Sequence, residues 1–80
     1  MTNTTLNNLP IGHKCIVSSL ISSGNERRRM LDLGIIPSTQ IEALYKSPAG
    51  DPVAYFIRGA VIALRSEDAN KILINNIISL

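Results

Sequence analysis

"TQIEALYKSPAGDPVAYFIRGAVIALR", residues 39–65, is the stretch that decides the fold. Its first part alternates. Thr39, Ile41, Ala43 and Tyr45 share one face, and Gln40, Glu42, Leu44 and Lys46 share the other, the period of a half-buried strand. "SPAGDP" (47–52) is dense in turn formers, with Gly50 free to reverse the chain and Asp51 held extended ahead of Pro52. "VAYFIR" (53–58) alternates again, with Val53, Tyr55 and Ile57 on one side. Gly59 breaks it, and "AVIALR" (60–65) is a third short run. Three apolar runs spaced so tightly predict successive hairpins.

The flanks extend the pattern. Upstream, "KCIVSSLI" (14–21) reads as a strand and "SSG" (22–24) as a break. A helix is expected from Gly24 to about Leu33, opened by a capping box of Ser23 and Glu26. Met30, Leu31 and Leu33 form its apolar stripe, Gly34 stops it, and Ile36 before Pro37 is extended. Downstream, Ser66 reads as an N-cap with Glu67 and Asp68 in the first turn of a short helix reaching about residue 71. "ILINNIIS" (72–79) is the last strand. The sum is a mainly β fold: a small, partly open barrel of about five strands, one helix after the first strand and a short helix before the last.

A chain of 80 residues with 45% apolar and 18% charged residues suits one folded domain over 1–80. Residues 1–8 are polar and expected to be loosely held, with Leu9 the first core anchor. A net charge of +2 and an aromatic content of 4% leave little for nucleic-acid binding. One cysteine allows no internal disulfide, no signal peptide or membrane-spanning run is visible, and a cytoplasmic location is expected.

Enzymatic chemistry has no constellation to stand on. One histidine, one cysteine and scattered carboxylates give no nucleophile–base pair, and no cofactor loop is present. His13 and Cys15 form an H-x-C pair that falls short of a metal ligand set; a buried cysteine and a surface histidine are expected. The unusual feature is Arg27-Arg28-Arg29 at the front of the helix, where the dipole disfavours cations. Glu26 offsets part of this cost, and Asp32 is placed to pair with Arg28 or Arg29 one turn on. Arg27, Arg28, Arg29 and Asp32 are therefore the candidate partner-binding residues, facing a partner that carries carboxylates or phosphates.

"RRRMLDLGIIPST" (27–39), "SPAGDPVAYFIRGAVIALR" (47–65) and "DANKILI" (68–74) together resemble the FeoA family, over roughly residues 9–75. Ser38 stands where that family usually has glycine, which weakens any need for positive φ there, and Ala60 where it often has tyrosine. The resemblance implies an SH3-like barrel and a non-enzymatic accessory role in bacterial ferrous-iron uptake. The implied partner is a FeoB-type membrane GTPase transporter, met at its G-domain or membrane region on the cytoplasmic side. Two alternatives stay open: a transition-metal-binding regulatory module like the SH3-like domain of iron-dependent repressors, and a self-associating structural domain.

Overall fold

The computed structural model describes residues 4–79. β1 (Thr4–Thr5) leads into a single 3-10 turn (Leu6–Asn8), followed by β2 (His13–Leu20) and α1 (Gly24–Asp32). Two hairpins then supply β3 (Gln40–Lys46), β4 (Val53–Ile57) and β5 (Ala60–Leu64). A short α2 (Ser66–Ala69) precedes β6 (Ile72–Ser79). All strands join one antiparallel sheet in the order β1-β6-β2-β3-β4-β5, so β1 and β5 are its edges.

The sheet curls around one core. Val17, Ile41, Ala43, Tyr55, Ile57, Leu64, Ile72 and Ile74 come from the strands, and Met30 and Ile35 from α1 and the turn after it. The β4–β5 hairpin closes through Arg58 (φ 50°) and Gly59 (φ 85°), both left-handed as a two-residue turn of matching twist demands.

α1 ends as Gly34 promised. Gly34 N–H donates to the Leu31 carbonyl at 2.9 Å and Ile35 N–H to the Met30 carbonyl at 3.0 Å. This is the Schellman pattern, sealed by contact between the residues that flank it, and here Met30 and Ile35 are both fully buried. Thr39 then donates its hydroxyl hydrogen to the Gly34 carbonyl at 3.2 Å, tying the loop back to the helix end.

Several expectations need correction. Residues 4–8 are not loose: β1 pairs with β6, Leu6 is fully buried, and α2 packs on the 3-10 turn. The expectation for residues 1–3 lies outside the described residues. Among the described residues the sheet has six strands, Thr4–Thr5 adding a short one beside β6 to the expected five. Leu31 is 38% exposed; Ile35 takes the place assigned to it in the core. Tyr45 leaves the face of Ile41 and Ala43 because the β3–β4 register slips between Ala43 and Tyr45. A one-residue slip exchanges the faces of a strand, and Tyr45 ends 60% exposed.

Neither expected cap forms. Ser23 occupies the N-cap of α1 without a side-chain bond, and the Glu26 carboxylate accepts instead from Lys71 Nζ, at 2.8 Å to both oxygens. Arg65, not Ser66, is the N-cap of α2, and the free Ser66 N–H is met by Asp51 Oδ1 at 2.8 Å across the sheet. Ser38 has φ 77°, so this turn does require the left-handed conformation that glycine adopts without cost.

Candidate docking face on α1

A helix turns about 100° per residue, so the arginine triplet fans around α1. With Met30 buried and directed at the core, Arg28 and Asp32 fall on the far side, in solvent. Arg27 and Leu31 lie on one flank. Glu26, Arg29 and Leu33 lie on the other, toward α2 and the start of β6.

The flank toward α2 is internally satisfied. Arg29 Nη2 lies 3.1 Å from Asp68 Oδ2, and Lys71 Nζ 2.8 Å from Glu26 Oε2. The hydrogen bond that Lys71 donates to the Glu26 carboxylate pushes the Lys71 pKa up. These are solvent-screened surface pairs that add little to stability. Their effect is to hold α1 against α2 and to remove Arg29 from the pool of free cations. The expected pairs of Asp32 with Arg28 and Arg29 do not form. Among the described residues, Arg27, Arg28 and Asp32 make no ion pair. The triplet therefore divides. Arg29 is paired within the fold, and Arg27 and Arg28 present two guanidinium groups with no ion pair among the described residues beside the exposed side chain of Leu31.

Sequence reasoning missed Arg58. Its side chain lies over Gly34, where any Cβ would collide with the Arg58 side-chain carbons. A third cation thus sits at the C-terminal end of α1, the end that favours positive charge.

Cys15 is 1% exposed, and burial pushes its thiol pKa up to about 12. A thiol so firmly protonated is a poor nucleophile and a poor metal ligand. His13 is half-buried at the start of β2. No group of three or more His, Cys, Asp and Glu side chains comes together among the described residues. Among the described residues, no helix is long and apolar enough to cross a membrane.

A curled antiparallel sheet of this order, with one helix inserted after its first long strand, is an SH3-like small barrel. The FeoA domain family matches residues 4–76, and the chain belongs to that family, whose members are accessory modules and not enzymes. A FeoA-like protein from Clostridium acetobutylicum superposes with a TM-score of 0.86 at 36% identity, covering 94% of this chain and 88% of that one. The FeoA of Stenotrophomonas maltophilia, solved with zinc and described as a prokaryotic SH3 domain protein, shares the fold at TM-score 0.80 and 24% identity, over 90% and 89% of the two chains. In sequence, the chain is 33% identical over 67 residues to an Fe(2+) transport protein A/Fe(2+) transporter FeoB fusion protein of Porphyromonas gingivalis. That match takes in 84% of this chain but only 8% of the fusion protein.

Proposed function

We propose that the chain is a non-enzymatic accessory protein of ferrous-iron uptake, acting in the cytoplasm by docking on a FeoB-type membrane GTPase transporter. The observation that carries this reading is the Porphyromonas gingivalis relative, in which a segment similar to this chain and a FeoB transporter are one polypeptide. Covalent fusion fixes two modules at high effective concentration, which is useful when they act together.

Arg27 and Arg28, with Asp32 beside them, are the proposed contact residues. Free guanidinium groups bind carboxylates and phosphates bidentately, and Leu31 between them supplies apolar area. Arg29 serves this face indirectly, by anchoring α1 to Asp68. The module would bias the transporter by contacting one of its states better than another.

The test is transporter-dependent iron uptake in cells carrying Arg27→Gln together with Arg28→Gln. The variant is expected to fold as the parent does and to lose support of uptake. Normal uptake by the folded variant would remove the arginines from the docking face.

A further inference from the structure

The two edges of the sheet are built differently. β1 is two residues long and offers little to pair with. β5 has five residues, Ala60-Val61-Ile62-Ala63-Leu64, with no charge and no proline, and its pairing with β4 has no bulge. Natural edges are commonly blunted by one of those devices, because an unblunted edge recruits strands. β5 carries none of them.

The register says which groups are open. Ile57 and Ala60 flank the two-residue turn and are a hydrogen-bonded pair, so Tyr55–Ile62 and Val53–Leu64 are the next such pairs. The N–H and C=O of Val61 and Ala63 therefore point away from β4, and no other backbone group bonds them. Beside them runs an open groove of about 610 Å³. β5 lines it on one side, and Arg29 of α1, Leu33 just past that helix, and Glu67 and Asp68 of α2 line it on the other. Leu33, Ile62 and Leu64 are the large apolar side chains among its lining residues. On the outer face, Phe56 and Val61 stand opposite each other, 42% and 58% exposed.

We infer that this groove takes an extended segment of another polypeptide, added to β5 as a further strand through the main chain of Val61 and Ala63. The far side of the groove is made of helix-borne side chains, Arg29 from α1 and Glu67 and Asp68 from α2, and not of another strand. The segment presents apolar side chains to Leu33, Ile62 and Leu64 on alternate residues. Its end near α2 carries a basic residue. Arg29, Glu26 and Arg65 are already engaged, with Asp68, Lys71 and Asp51, which leaves Glu67 as the acid on the groove with no ion pair among the described residues. Arg27 and Arg28 do not line the groove, so this site is separate from the α1 face.

The probe is the synthetic strand peptide acetyl-Lys-Val-Thr-Val-Thr-Val-Thr-amide, titrated into the whole chain and followed by amide NMR. Main-chain pairing tolerates sequence, so a generic strand suffices. Saturable shifts are expected at residues 61–65 and at Leu33, with the Val61 and Ala63 amides exchanging about tenfold more slowly in the complex. N-methylation along one edge of the peptide should weaken binding about tenfold or more, and along the other edge should not. Ala63→Pro removes an N–H that β4 does not use and should abolish binding while the fold persists. Val61→Lys, which places a charge on the edge without touching the backbone, should weaken the lysine-ended peptide by about tenfold. No saturable shift, shifts confined to residues 27–32, or equal loss from methylating either edge would overturn the inference. So would a concentration-dependent dimer broken by Val61→Lys, which would make the occupant a second copy.

Discussion

Ile35, and not Leu31, should carry the attachment of α1 to the barrel, and the two can be compared by the same substitution. Ile35 is fully buried in the core. Ile35→Ala removes three carbons worth about 0.8 kcal/mol each, so the lost transfer energy is about 2.4 kcal/mol. The enclosed void it leaves raises the loss to about 3–4 kcal/mol. Leu31 is 38% exposed. Leu31→Ala therefore forfeits about two thirds of the same transfer energy, roughly 1.5 kcal/mol, and opens no closed cavity. Alanine's better helix propensity returns a few tenths, which leaves about 1 kcal/mol. A domain of this size holds about 4–12 kcal/mol in all, so the Ile35 variant approaches the limit of folding. Urea unfolding followed by far-ultraviolet circular dichroism measures both. Expected is a loss about threefold larger at Ile35, with melting lowered by roughly 4–8 °C for each kcal/mol. Equal losses, or a larger one at Leu31, would refute the assignment of Leu31 to the surface and of Met30 and Ile35 to the seal of the helix.

Asp51→Ala should cost about 1–2 kcal/mol by removing the acceptor for Ser66 N–H, and Asp51→Asn, which keeps that acceptor, distinctly less; thermal melts of the two variants check this. Ser38→Gly should stabilise the chain by about 0.5–1 kcal/mol, since φ 77° strains any residue with a Cβ; an unchanged or lowered urea midpoint would argue against a left-handed Ser38. Cys15 and Tyr55 both have pKa values pushed up to about 12 by burial, from 9.0 and 10.0. Above pH 9 the unfolded chain releases protons that the folded chain retains, so stability should fall between pH 9 and 12, and Cys15→Ala should remove part of that fall; a flat profile would contradict the burial of both groups.

The hairpins were legible because residues 39–65 state their pattern twice over, in alternation and in turn residues. β6 was legible for the same reason, and α1 from its glycine stop. What escaped was set by long-range pairing. Thr4–Thr5 looks polar and loose, and becomes a strand only because β6 offers it an edge. Tyr45 follows the inward alternation until a register slip that no local signal marks. Ser23 and Glu26 satisfy the capping-box spacing, yet Lys71, distant in sequence, competes successfully for the Glu26 carboxylate. The candidate docking face was half legible. The triplet pointed to α1, but only the tertiary placement of Asp68 separates Arg29 from Arg27 and Arg28. Arg58 comes to lie over Gly34 through the fold alone.

The most direct measurement of the docking face is the affinity of the purified chain for a purified FeoB-type transporter, taken across a salt series for the parent and for the Arg27→Gln, Arg28→Gln variant. Guanidinium contacts to an acidic partner weaken as salt screens them. The parent should bind less tightly as salt rises, and the variant should bind weakly with little salt dependence while its melting temperature stays near the parent's. Equal affinity and equal salt dependence in the two proteins would contradict docking through Arg27 and Arg28.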